Sequence, residues 1–414
     1  MIGGSKITKE AIQRRTIKVL TAAQILNGVG VTGTVAAGSL LVSSISHSES
    51  LAGLAQTTAV LGAAAMALPL AKLTQRGGRR LALSTGYSVA VLGSIFAILG
   101  GVHRNLFLML LGTFCVGAAS ASGYQARFAA IDLATDARRS KNLSFVVWGS
   151  TIGAVAGPNL MQPAGRVAQT LGLPRLVGPY LISASTLVCA TVVILLLLKP
   201  DPFLLANAPS ADSEAQGHKS TKVALRHIRQ DPKSLFAIAA VAIGHLAMVS
   251  IMVMTPVHMA HVDVTLRIIG LVISVHVLGM YAFSPLVGSM SDKYGRIIVI
   301  RIGVVLLLAA SVISGTASGM DSVRLGIGLF FLGLGWSFTL IGGSTLLSES
   351  VEISMRPSSQ GASDLVMNLV GALGGASAGV IIGALTYGWL CLFAAVPVLI
   401  LGIWSYRLTN KSMN

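Results

Sequence analysis

AKLTQRGGRR, residues 71–80, and GSMSDKYGRI, residues 288–297, decide how this chain is read. Each is a short basic loop wedged between two long apolar runs, and the second begins 217 residues after the first in a chain of 414. A repeat of about half the chain, with apolar runs flanking each copy, marks a duplicated helical membrane protein.

Composition agrees with that reading. Hydrophobic residues make up 53% of the sequence and charged residues 11%, and the mean hydropathy is +0.78. A soluble domain carries about 25% charged residues, so a single water-soluble core is excluded. Twelve apolar stretches are long enough, as helix, to cross a hydrocarbon layer of roughly 30 Å: 17–45, 51–71, 80–101, 105–130, 142–163, 176–198, 234–258, 267–289, 298–318, 323–347, 359–384 and 387–406. The expected fold is an all-α membrane protein with twelve transmembrane helices in two pseudo-symmetric six-helix bundles, both termini cytoplasmic. The bundles are residues 1–198 and 234–414, joined by a polar cytoplasmic linker, 199–233. Within the linker, TKVALRHIRQ (221–230) reads as a short helix on the inner membrane surface. The first apolar stretch is too long for one straight crossing, so its ends are expected to project. The 46 glycines suit helices that pack backbone to backbone in lipid.

A net charge of +16 raises nucleic acid as a partner, but the placement of the charge excludes it. With both termini on one side, all but Arg104, Arg166, Arg175, Arg267 and Arg324 of the 30 Lys and Arg fall on the terminal segments and the loops and span ends of that side. That is the positive-inside pattern of a multi-pass protein, here of a bacterial-type plasma membrane, with lipids as its surroundings. Residues 1–18 are polar and basic without a small-residue cleavage site, so no cleavable signal is expected. Cys115, Cys189 and Cys391 all fall within spans, which argues against a disulfide framework or a thiolate cluster.

Gly288, Asp292, Lys293, Gly295 and Arg296 closely match the pattern G-x-x-x-D-(R/K)-x-G-R-(R/K). On that motif and its repeat, the chain resembles the major facilitator superfamily over nearly its whole length. The first copy keeps Arg76, Gly78, Arg79 and Arg80 but has Ala71 and Gln75 where Gly and Asp would stand. The resemblance implies an alternating-access secondary transporter, functional as a monomer, with its substrate held midway between the repeats. It also implies that the loop acid helps hold an inward gate shut against the eleventh helix. Gln75 cannot supply that charge, so either other contacts replace it or the gate is looser.

Gly149, Gly153, Gly157 and Pro158 in the fifth span look like the glycine-proline motif of the family's proton-coupled exporters. Glycines four apart also make a smooth face for close helix packing, and Pro158 kinks the helix. The arginine that the family's drug exporters carry in the fourth span is missing, with Thr113, Val116 and Gly117 at those positions.

Ionisable groups inside spans are costly and usually serve transport. Asp364 is the one acid within a span, suited to taking up a proton, pairing with a cation or anchoring a gate. Arg127 ends the fourth span, where it either snorkels to the inner headgroups or joins the transport path. With His245, Asn27, Tyr124 and Trp336 these two form the candidate substrate and coupling set. The candidate gate set is Arg76, Gly78, Arg79, Gly288, Asp292, Gly295, Arg296, Gly153, Gly157 and Pro158.

The seventh span, IGHLAMVSIMVMTPVHMAH (243–261), places His245, Met248 and Met252 on one side, and the eighth, ISVHVLGMYAFSP (273–285), places His276 and Met280 one turn apart. At 1.5 Å per residue, Met248 lies about 21 Å above the inner start of its span and His276 about 14 Å below the outer start of its own. Thioether and imidazole suit Cu(I), and His258, Met259 and His261 at the outer mouth suit its capture. Methionine is also ordinary core filler. The M-x-x-x-M and H-x-x-x-M pairs formed by Met248, Met252, His276 and Met280 look like those of a bacterial copper-importing branch of the same superfamily, which would make Cu(I) a transported substrate.

GGRRLALS (77–84) and GGSTLLS (342–348) lack the ending a phosphate-binding loop needs, and the chain offers no paired nucleophile and base, so neither an enzyme nor a bound cofactor is expected. Two transport readings stand. One is proton-coupled efflux of an amphipathic organic compound, supported by Trp148, Trp336, Phe331, Phe338, Tyr124 and Phe145. The other is Cu(I) uptake. Sugars and organic anions fit less well, because the spans offer few amides beyond Gln24, Asn27, Gln56, Asn159 and Asn368.

Overall fold

Helix accounts for nearly all of the chain. The computed structural model describes residues 3–48, 51, 53–207, 226, 228–260 and 266–410. Most of the linker, with the expected surface helix at 221–230, and His261 lie outside the described residues. In chain order the helices are α1 (Gly3–Ser46), α2 (Leu54–Val102), α3 (Leu106–Ala129), α4 (Arg139–Thr170), α5 (Gly178–Leu197), α6 (Pro202–Ala206), α7 (Pro232–Ala260), α8 (Leu266–Tyr281), α9 (Ser284–Tyr294), α10 (Arg296–Gly315), α11 (Ser322–Ser350), α12 (Arg356–Ala384) and α13 (Tyr387–Asn410).

Among the described residues, ten helices are long and apolar enough to cross a membrane, and a bent pair within α4 makes eleven. The twelfth crossing is hidden in α2. Its 49 residues would run about 74 Å as straight helix, more than twice the hydrocarbon thickness. The run is broken at Gly78, whose φ of 82° and ψ of 179° place it where only glycine is comfortable. The twelve-helix fold therefore holds. In α4 the axis turns by 54° between Gly157 and Asn159, where the sequence has a proline with no backbone N–H to donate.

The chain divides into two compact units. The first comprises Met1–Thr135, Phe145–Ser220 and Ile353–Leu365; the second comprises Asp136–Ser144, Thr221–Glu352 and Val366–Asn414. In the first unit α2 packs along α3 and α5, and α1 along α5 and α3. Its core is rich in small side chains, with Ala23, Ala90, Ala118, Ala119 and Ala190 fully buried around Leu20, Leu83, Tyr87 and Leu187. Alanine lets helix axes approach closely where lipid offers no hydrophobic drive for association. α1 and α4 also approach backbone to backbone. A Cβ on Gly28 would lie 2.9 Å from Gly153 Cα, and Thr32 Oγ1 donates to Gly28 O (2.7 Å) and sits 2.8 Å from Gly153 O.

In the second unit α11 is the central helix, flanked by α7, α8 and α10, while α13 packs on α10 and α7. Leu196, Val305, Val312 and Val380 are among the large apolar side chains left exposed, as expected of surfaces solvated by acyl chains.

Candidate functional site

Each basic loop meets an acid further along the chain, Glu349 on α11 and Asp132 in the turn after α3. In the second unit, Arg296 Nη2 lies 2.7 Å from Glu349 Oε1 and donates to Asp136 O at 2.9 Å. Arg139 reaches the same Glu349 at 3.4 Å. Asp292 Oδ1 and Oδ2 accept from the backbone N–H groups of Ser140 (3.0 Å) and Lys141 (2.9 Å), so the loop carboxylate caps the start of α4 and meets its positive dipole end. Gly288 allows the approach, since a Cβ there would lie 2.7 Å from Ser140 O and collide with the Ser144 side chain. Gly295, with φ 95°, makes the turn into α10.

The first unit repeats this arrangement at the same 217-residue offset: Arg79 stands for Arg296, Asp132 for Glu349 and Arg356 for Arg139. Arg79 Nε and Nη2 donate to the two oxygens of Asp132 at 2.7 and 3.1 Å, with both side chains fully buried. Burial pushes the Asp132 carboxyl above the ordinary carboxylate range, and Arg79 and Arg356 pull it back.

Two positions break the symmetry together. Gln75 replaces the capping acid, and its Nε2 makes a long contact, 3.5 Å, to Ser354 O. Pro357 replaces Ser140 and so has no N–H to give. Side-chain bonds fill the gap. Arg79 Nη2 donates to Gln360 Oε1 at 2.7 Å, Gln125 Nε2 to Asp364 Oδ2 at 3.1 Å, and Arg127 Nη2 to Asp364 Oδ1 at 2.6 Å. Asp201, ahead of α6, adds a further anchor by accepting from Arg80 N (2.7 Å) and lying against Gly78, where any Cβ would strike its carboxylate.

Arg127 therefore does not snorkel. Its side chain is 3% exposed, and its guanidinium lies over the rings of Tyr124 (5.5 Å) and Phe128 (4.8 Å). Asn27 lies on α1 beside Gly123 of α3.

In the second unit Trp336 Nε1 donates to His245 Nδ1 at 3.1 Å, which makes Nδ1 an acceptor and leaves the neutral ring's hydrogen on Nε2. Tyr281 meets Trp336 edge to face at 5.7 Å. The methionine-histidine residues are spread more widely. His276 Nδ1 donates to Leu329 O at 2.8 Å, and Met280 Cγ lies 3.1 Å from where a Cβ on Gly333 would stand. Both contacts are to α11, along which α8 packs, whereas α8 touches α7 only lightly. Met248 is buried and Met252 half-buried on α7. His258 stacks on Tyr387 at 4.4 Å, and Met259 is buried. Among the described residues, no three His, Cys, Asp or Glu side chains gather as they would around a metal ion.

Residues 20–266 and 237–413 match the Major Facilitator Superfamily. The chain belongs to that superfamily. A Major Facilitator Superfamily protein is a membrane transporter of small molecules, not an enzyme. Among relatives, the chain is 35% identical over 393 residues to YdeG, an uncharacterised MFS-type transporter of Bacillus subtilis, covering 95% of this chain and 91% of that one. It is 27% identical over 361 residues to RfnT, a riboflavin transporter of Brucella anthropi, covering 87% of each. Its fold is similar to that of the superfamily transporter FucP, with a TM-score of 0.74 at 16% identity over 94% of this chain and 98% of that one.

The superfamily motif pointed to Arg79, Asp292 and Arg296, but not to Asp132, Gln125, Gln360 and Glu349, which pair with them, nor to Arg139 and Asp201 beside them. The repeat offset carried part of that signal, since it pairs Asp132 with Glu349. Arg76 belongs to the same loop and is exposed.

Proposed function

We propose that this protein is a proton-coupled antiporter that exports a small amphipathic ring compound across a bacterial-type inner membrane, working as a monomer by alternating access. The observation that carries the reading is the buried Arg127–Asp364 pair. A proton arriving on Asp364 cancels the carboxylate charge and leaves Arg127 a buried cation without its counter-ion. The two protonation states then hold residues Ile353–Leu365 with very different strength, which is what coupling a proton to a conformational step requires. The ring preference rests on Trp336, Tyr281 and His245, which offer stacking faces and one polar edge. The riboflavin transport of the relative RfnT supports it. Export as the direction rests on the resemblance of Gly149, Gly153, Gly157 and Pro158 to the exporter motif.

The test is release of riboflavin from loaded proteoliposomes diluted into more acidic buffer. Release is expected to outpace both the gradient-free control and Asp364→Asn. Equal rates in all three would remove proton coupling, and release no faster than from protein-free liposomes would remove the ring substrate.

Cu(I) uptake is the second reading, favoured by one observation: His276 Nε2 is buried without a hydrogen-bond partner, as a vacant soft-metal ligand would be.

A further inference from the structure

Within the second unit, α10 and α13 meet through glycine at the ends remote from the basic loop. A Cβ on Gly315 would lie 2.8 Å from Cys391 Cβ, and one on Gly388 would lie 2.8 Å from Gly315 O. Beside that contact the two helices leave an open groove of about 370 Å³. Its lining runs along α13 from Gly388 to Ala395, about 10 Å, which fits inside one leaflet of about 15 Å. The flanking side chains Val312, Trp389 and Leu392 are apolar and exposed. Two hydroxyls in the lining turn back on their own helix, Ser311 Oγ donating to Leu307 O at 2.9 Å and Thr316 Oγ1 to Val312 O at 2.6 Å. The groove therefore suits a hydrocarbon chain better than a polar solute.

Its mouth is charged. Arg324, at the start of α11, is exposed, and its Nη2 donates to Thr316 Oγ1 at 2.6 Å, which holds the guanidinium beside the groove. That bond uses one of five N–H donors, and among the described residues Arg324 forms no ion pair. The neighbouring acid, Asp321, caps α11 by accepting from Arg324 N at 3.1 Å. Trp389 marks the same end, where an indole sits well at headgroup level. We propose that this groove holds one anionic phospholipid, with its phosphate on Arg324 and an acyl chain along Val312, Trp389 and Leu392. Guanidinium matches the geometry of phosphate oxygens, and the groove faces the phase that supplies the chain. The site does not depend on which solute is transported.

Tryptophan fluorescence of the full-length protein in phosphatidylcholine vesicles tests this, with phosphatidylglycerol or phosphatidylcholine carrying dibrominated chains as quencher. Subtracting the signal of Trp389→Phe, made in each background, isolates Trp389 from the other three of the four tryptophans. Brominated phosphatidylglycerol is expected to half-quench Trp389 at about a fivefold lower mole fraction than brominated phosphatidylcholine. Arg324→Gln, which removes the cation, and Val312→Phe, which narrows the groove from an exposed position, are each expected to bring the two lipids level. Equal quenching by both lipids without these substitutions, or a preference that survives either one, overturns the site. A Trp389 signal that neither lipid quenches also overturns it, and would mean that another protein surface covers this face.

Discussion

Arg127 Nη2 donates to Asp364 Oδ1 across 2.6 Å, and the two side chains are 3% and 1% exposed. Removing one partner of such a pair strands the other charge, at a cost of about 3–5 kcal/mol. Asp364→Asn is therefore expected to lower the thermal midpoint of the detergent-solubilised protein and to abolish proton-dependent flux. Adding Arg127→Gln to it is expected to recover the midpoint but not the flux. A double variant that regains pH-dependent transport would remove the pair from coupling.

Gln75 and Pro357 lack, respectively, the acid and one of the donors that Asp292 and Ser140 bring to the second copy. Gln75→Asp alone would find no N–H at position 357, so little change in transport rate is expected. Gln75→Asp combined with Pro357→Ser restores the second copy's geometry and is expected to slow turnover severalfold by strengthening the hold on the start of α12. Solute flux in proteoliposomes reads both variants. A large effect from Gln75→Asp alone would show that position 75 acts without position 357.

The contact of Gly28 with Gly153 leaves no space for a side chain. Gly153→Val forces α1 and α4 apart, and overpacking of this kind costs about 1–3 kcal/mol. A lower thermal midpoint is expected, with the pH dependence of the remaining transport unchanged. A shifted pH profile would give the glycine motif a part in coupling beyond packing.

His276 and Met280 pack against α11 through Leu329 and Gly333. Under the export reading, Met248→Leu with His276→Ala leaves cellular copper accumulation unchanged, measured at matched membrane protein level with external copper kept reduced. Copper uptake by the wild type that this pair abolishes would establish the Cu(I) reading in its place.

The number of crossings, the two-fold repeat and the distribution of charge were legible because each depends on local properties of the chain: apolar length against membrane thickness, and the side on which a basic loop falls. Asp364 was legible as costly, since a carboxylate in a span is costly whatever surrounds it. Its partner was not. Arg127 lies 237 residues away, and at the end of a span an arginine can turn outward to headgroups or inward to an acid with no change in sequence pattern. Arg79 and Gln360, 281 residues apart, show the same limit. Helical periodicity fixes which residues share a face, as it does for His276 and Met280, but the neighbouring helix that covers the face is chosen by packing across the whole unit. Sequence thus determined twelve crossings and two repeated basic loops, while tertiary structure decided which helix His276 and Met280 face and how side-chain bonds stand in for the acid missing at Gln75.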